Sequence, residues 1–86
     1  MIDLENFNFS NLSLYNNEFI TYWKQDNEKS NFTYIDSFEY NSYKMNKEEV
    51  FEKSKIIYDQ NKNDDNKIFI NFLIFKDELN NVIKDK

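Results

Sequence analysis

The alternation of large apolar and polar residues predicts β-strands in the first half of the chain. Residues 18–25 and 31–40 are rich in β-branched and aromatic side chains, and a polar cluster lies between them, as in a β-hairpin. A weaker alternation over 7–15 predicts an earlier strand. Asn16 and Asn17 follow it, and asparagine tolerates positive φ better than any residue except glycine, so this pair predicts a hairpin turn.

Helical spacing begins in the second half of the chain. Asn46 is a suitable N-cap, Glu49 follows three positions later as in a capping box, and apolar residues recur at helical spacing from Val50 onward. These signals predict a helix over 47–61.

The densest apolar run lies at 67–75, and its isoleucine and phenylalanine content favours a central strand covered on both faces. A short helix beginning at Asp77 is expected to follow. The apolar residues of 66–85 also fit one helical stripe, so a single long helix is the alternative. The preferred order is β-β-β-α-β-α, an α+β fold with a small antiparallel sheet of about four strands and one or two helices packed on one face.

Composition limits what the chain can do. Its 86 residues are 40% hydrophobic, which suits a single compact domain over 1–86. Glycine, proline, cysteine, histidine, alanine and arginine do not occur, whereas asparagine and lysine are abundant, as expected of an AT-rich genome. Without these residue types there is no thiolate nucleophile, imidazole base, usual zinc site or glycine-rich phosphate loop. The sequence therefore predicts a protein that is not an enzyme and has no cofactor or metal.

One segment resembles part of a calcium-binding loop. Asp59, Asn61 and Asn63 match the first three ligand positions of an EF-hand, but Asp64 occupies the glycine position and Ile70 the position of the bidentate glutamate. Adjacent carboxylates at the starts of both predicted helices suit the helix dipole. Neither feature predicts a metal or catalytic site.

Charge is distributed unevenly along the chain. The net charge is -5, and the first 43 residues contain seven acidic residues, two lysines, the one tryptophan and five of the six tyrosines. Negative charge steers cationic surfaces, and aromatic side chains are frequent binding hot spots. We therefore expect a partner-binding surface on the 18–40 hairpin, formed by Tyr22, Trp23, Asp26, Glu28, Tyr34, Asp36, Glu39 and Tyr40.

Two points about that surface stay open. Uninterrupted alternation would place Tyr34 and Tyr40 on the face that contains Tyr22, and Ile35 on the face that contains Trp23. Because both sets include large apolar side chains, the pattern does not show which face covers the core. The aromatic residues could also simply satisfy β-propensity, with their polar ends reaching water.

These features favour a small acidic binding protein that inhibits a basic, nucleic-acid-handling protein, such as a nuclease or CRISPR effector, through protein contacts. Proteins of this size and acidity are typical of phage-encoded inhibitors of host defence, including anti-CRISPR proteins and DNA mimics. The alternatives are an immunity protein or antitoxin that neutralises a cationic nuclease toxin, and a homo-oligomeric structural protein such as a homodimer. Direct contact with nucleic acid is not expected, because single-strand binding grooves are positively charged.

The chain shows no signal for export or membrane insertion. Residues 1–5 contain neither a basic segment nor a long apolar run, and the longest apolar stretch is far below the roughly 20 residues that span a bilayer. We therefore expect a soluble protein of the cytoplasm of a bacterial host cell.

Overall fold

The computed structural model describes residues 1–84, which form four strands and two α-helices. The elements are β1 (Ile2–Asp3), β2 (Glu18–Asp26), β3 (Thr33–Tyr40), β4 (Asn66–Leu73), α1 (Lys47–Asn61), α2 (Lys76–Lys84) and 3-10 helices at Leu4–Asn6 and Phe9–Tyr15. The strands form one antiparallel sheet in the order β1-β4-β2-β3. The predicted α+β fold is confirmed, with β4 in a central position. The alternative of a single long helix over 66–85 is wrong for residues 66–84, because they contain β4 and α2. Residue 85 lies outside the described part of the chain.

Residues 7–15 form a 3-10 helix for most of their length, so the predicted strand there is wrong. The Asn8 side-chain oxygen accepts the backbone N–H two residues later at 3.1 Å, and such local bonds compete with strand pairing. Phe9, Leu12 and Tyr15 also recur every three residues, the period of a 3-10 helix. The first strand is instead the two-residue β1, which pairs with β4.

Several backbone signals were predicted correctly. Asn17 has a φ of 70°, the positive value expected at the asparagine pair, although the turn joins a 3-10 helix to β2 and is not part of a hairpin. The Asn46 side chain accepts the Glu49 N–H at 2.8 Å, which caps α1 at the predicted residue. The hairpin of β2 and β3 is also confirmed.

The hydrophobic core lies between α1 and one face of the sheet, here called the α1 face. Its buried residues are Leu4, Leu12, Ile20, Tyr22, Tyr40, Val50, Ile57, Ile68 and Ile70. Residues that alternate with them on β2, such as Thr21 and Trp23, lie on the opposite face, here called the outer face. Helix α2 packs against β4.

One buried hydrogen-bond chain joins the sheet to α1. The Ser54 hydroxyl donates to the Val50 carbonyl at 2.8 Å and lies 2.5 Å from the Tyr22 hydroxyl, so Tyr22 is the donor to Ser54. Burial raises the pKa of Tyr22 to about 12, against the lowering effect of the Ser54 hydrogen bond, and the Asp36 carboxylate adds to the rise. The phenol is therefore neutral near pH 7.

Candidate protein-binding site

A β-bulge decides which aromatic side chains share a face. Tyr22 pairs with Asp36, but Trp23 pairs with Tyr34, so Ile35 is an extra residue in β3. The bulge places Tyr34 on the outer face beside Trp23 and lets Ile35 pack against the core. Alternation without a bulge placed Tyr34 on the face of Tyr22 and Ile35 on the face of Trp23, and both placements were wrong.

Trp23 and Tyr34 form a preorganised pair on the outer face. Their ring centroids are 5.6 Å apart in an edge-to-face arrangement. The Trp23 indole N–H donates to the Thr21 hydroxyl at 2.8 Å, and the Thr21 hydroxyl donates to the Asn71 carbonyl at 3.1 Å. The Tyr34 hydroxyl lies 2.5 Å from that of Ser37. The polar ends of both rings are therefore bonded within the protein, and these bonds restrain the orientation of the rings.

Two phenylalanines that the sequence did not point to extend this pair. Phe69 lies directly opposite Trp23 in the register of β4 with β2, and Phe32 packs edge to face on Phe69 with centroids 5.1 Å apart. Phe32 is 39% exposed, whereas the other three side chains are half-buried. We call these four residues, Trp23, Phe32, Tyr34 and Phe69, the aromatic cluster. The alternation of Phe69 with buried residues on both sides was the available signal for that residue. Phe32 lies two residues before Tyr34 in the predicted strand 31–40, so alternation put these two side chains on the same face.

Tyr22 and Tyr40, both predicted to contact a partner, are core residues instead. They are 0% and 2% exposed, and both belong to the cluster of buried residues beneath α1. Tyr22 pairs with Ile70 of β4 and bonds to Ser54, so its burial is compensated by packing and a hydrogen bond. Neither tyrosine offers contact surface to a partner in this structure.

Asp26 and Glu28 lie exposed where β2 leaves the sheet. The backbone N–H of Asn27 donates to the Asp65 carbonyl at 2.8 Å, which holds the loop before β4 against the end of the hairpin. Asp64 and Asp65 are thereby brought to the same end of the molecule as Asp26 and Glu28. We call these four residues the acidic end.

Lysines neutralise little of this charge through direct pairing. Within residues 1–84 the one ion pair joins Lys29 to Asp26 at 3.8 Å, and both side chains are more than half exposed. Such an exposed pair contributes at most about 1 kcal/mol. Lys62 bonds instead to the Asn63 carbonyl, and Lys67 lies exposed beside Gln25 on the outer face.

The two remaining predicted carboxylates lie apart from each other. Glu39 is exposed on the outer face opposite Phe19, towards the far end of the hairpin. Asp36 pairs with Tyr22 and lies on the side of the α1 face, at the border of the sheet. The structure therefore does not bring Asp26, Glu28, Asp36 and Glu39 into one cluster with the aromatic rings.

Asp36 has a structural role at the free edge of β3. The Tyr40 carbonyl accepts the Asn17 N–H, and strand residues point their backbone groups to alternate edges, so the Ser37 N–H faces outward. The Asp36 carboxylate accepts that N–H at 2.8 Å. A charge, a bonded edge donor and the neighbouring bulge are devices that block edge-to-edge strand pairing.

Replacing Asp36 with valine is therefore expected to cause self-association through β3. The variant loses the edge charge and frees the Ser37 N–H, whereas Thr33→Val adds the same side chain to the same strand and leaves the edge protected. Size-exclusion chromatography with light scattering should show concentration-dependent oligomers for Asp36→Val alone. Oligomers of Thr33→Val as well, or a monomeric Asp36→Val, would rule out this role.

Several grooves follow α1 on the described surface. The apolar groove between the N-terminal segment and α1 holds about 200 Å³, and Phe9, Phe51 and Tyr58 line it. That volume is below the roughly 300 Å³ from which small-molecule pockets begin. Two wider grooves along α1, of about 390 and 360 Å³, share the exposed carboxylates of Glu48 and Glu52. Within residues 1–84, no three acidic side chains are grouped to hold a metal ion. Asn63 and Asn61 of the EF-hand-like segment bond to the backbone around them.

Comparison with protein-family models, with curated proteins and with solved structures finds no match for this chain. None of the helices within residues 1–84 combines the length and the apolar character needed to span a bilayer. The surface of the protein, above all the aromatic cluster and the acidic end at the tip of the same hairpin, is therefore the guide to its function.

Proposed function

We propose that this protein is a non-enzymatic binding protein that inhibits a basic, nucleic-acid-handling protein. The observation that carries the proposal is the position of the aromatic cluster next to the acidic end. Trp23 and Asp26 lie on the same strand, about 10 Å apart along it; Trp23 is on the outer face, whereas Asp26 ends the strand on the side of the α1 face. Binding interfaces combine aromatic anchors with a charged rim that selects and orients the partner.

The charges support a basic partner. The whole chain has sixteen acidic residues and eleven lysines. Within residues 1–84 there is a single ion pair. Most carboxylates are therefore available to attract cations of another molecule. A protein that binds nucleic acid has a cationic surface for phosphates, and carboxylates in the turns at the end of the sheet can occupy such a surface. This size and acidity are typical of phage-encoded inhibitors of host defence, including anti-CRISPR proteins and DNA mimics, and we propose such a role for this protein in the cytoplasm of a bacterial host cell.

Affinity capture from a nuclease-treated bacterial lysate tests the proposal. The tagged protein should retain a basic nucleic-acid-handling protein, such as a CRISPR effector, and inhibit it after purification. A Trp23→Leu bait should retain less of it, because a half-buried aromatic anchor is lost. Phe51→Leu is the matched control, since Phe51 is an exposed aromatic residue on α1.

Other outcomes have distinct meanings. A captured nuclease toxin encoded beside this gene would favour an immunity protein. Retention of only further copies of this chain, or equal loss with both baits, would contradict the proposal.

A further inference from the structure

The hydrogen-bonding pattern of the aromatic cluster limits what its rings can recognise. The Trp23 indole N–H is bonded to Thr21, and the Tyr34 hydroxyl is bonded to Ser37. Phe32 and Phe69 have no polar atoms on their side chains. A partner therefore meets mainly ring surfaces at this site, and a ring face carries negative electrostatic potential.

Cations bind well to such ring faces, and this protein contains one example. The Lys53 ammonium lies 5.4 Å from the ring centroid of Phe38, near the α1 face. Within residues 1–84, no lysine is placed in this way over Trp23. The tryptophan, which is the best cation acceptor among the aromatic residues, thus has no cation from its own chain over it in the described structure.

We propose that the aromatic cluster binds arginine side chains of the partner; this inference rests on the proposed function and specifies the chemistry of its partner. A guanidinium group is planar and weakly hydrated, so it stacks on an aromatic face at less desolvation cost than an ammonium. It also forms forked hydrogen bonds to carboxylates. The acidic end lies at the tip of the same hairpin, so a partner segment that passes around this tip meets the rings on the outer face and the carboxylates at the end of the sheet.

Fluorescence of Trp23 reports on this site directly, because the chain has no other tryptophan. The protein is titrated with an arginine-rich peptide and with a lysine-rich peptide of the same length and charge. At about 0.15 M salt, where long-range attraction is screened, the arginine peptide should bind roughly three- to tenfold more tightly and change the tryptophan emission.

Three variants separate ring recognition from general charge attraction, with calorimetry as the readout. Trp23→Leu should remove the preference for arginine and retain weak, salt-dependent binding, whereas Phe51→Leu should keep the preference. Lys67→Glu changes an exposed residue of the outer face, should not affect folding, and should tighten binding of the arginine peptide. Circular dichroism checks that each variant is folded.

Equal affinity for the two peptides, or no binding of either, would overturn the arginine inference. A folded Trp23→Leu protein that keeps the preference for the arginine peptide would overturn it as well. Equal, salt-dependent binding of both peptides would leave the basic-partner proposal intact. The proposed function fails separately, when affinity capture yields no basic nucleic-acid-handling protein.

Discussion

Replacing Ser54 with alanine is expected to lower the free energy of unfolding by about 1–3 kcal/mol, because the buried Tyr22 hydroxyl loses its partner. Tyr22 is 0% exposed and Ser54 is 2% exposed, so water cannot easily take the place of the serine. A domain of this length has a total stability of roughly 4–13 kcal/mol. The variant should therefore melt several degrees below the parent protein.

Tyr22→Phe is expected to cost less, about 0.5–1.5 kcal/mol, because it removes the buried donor itself. Ser54 keeps its 2.8 Å bond to the Val50 carbonyl in that variant. In the Tyr22→Phe background, Ser54→Ala should then cost little, since no orphaned hydroxyl remains.

Urea unfolding of the parent, both single variants and the double variant measures this coupling. The exposed Ser13→Ala serves as the control and should change stability by less than about 0.5 kcal/mol. Strictly additive losses, or a larger loss for Tyr22→Phe than for Ser54→Ala, would show that the hydroxyl pair does not couple β2 to α1.

Local signals allowed part of the fold to be predicted from the sequence. The start of α1 follows from Asn46, because an N-cap satisfies backbone groups a few residues away. The hairpin and β4 follow from runs of β-branched and aromatic residues. The strand predicted over 7–15 was wrong. The Asn8 side chain bonds to the backbone N–H of Ser10, and this local bond favours the 3-10 helix over strand pairing.

The candidate site was harder to predict because it depends on contacts between distant residues. The sequence identified Trp23 and Tyr34 as aromatic anchors, but only the bulge at Ile35 places them together. Tyr22 looked equivalent to them, yet it lies on the α1 face, where its hydroxyl bonds to Ser54, 32 positions away in the chain. Asp64 joins the acidic end through a bond between two loops that no local pattern reveals.

The central claim is that a basic partner is attracted to the acidic end beside the aromatic cluster. Reversing the charge of Asp26 and Glu28 to lysine should slow association with the captured partner by about tenfold at low salt, because it inverts the local field. The matched variant Glu52→Lys/Asp59→Lys has the same net charge but changes exposed residues of α1. Both pairs are exposed, so neither variant should lose much stability.

The association rate constant of the parent and both variants, measured as a function of salt concentration, tests the claim most directly. We expect slow association with a weakened salt dependence for Asp26→Lys/Glu28→Lys, and a much smaller change for the α1 variant. Equal slowing by both variants would mean that only net charge matters, and an unchanged rate for Asp26→Lys/Glu28→Lys would mean that the partner binds elsewhere. Either result would contradict the claim.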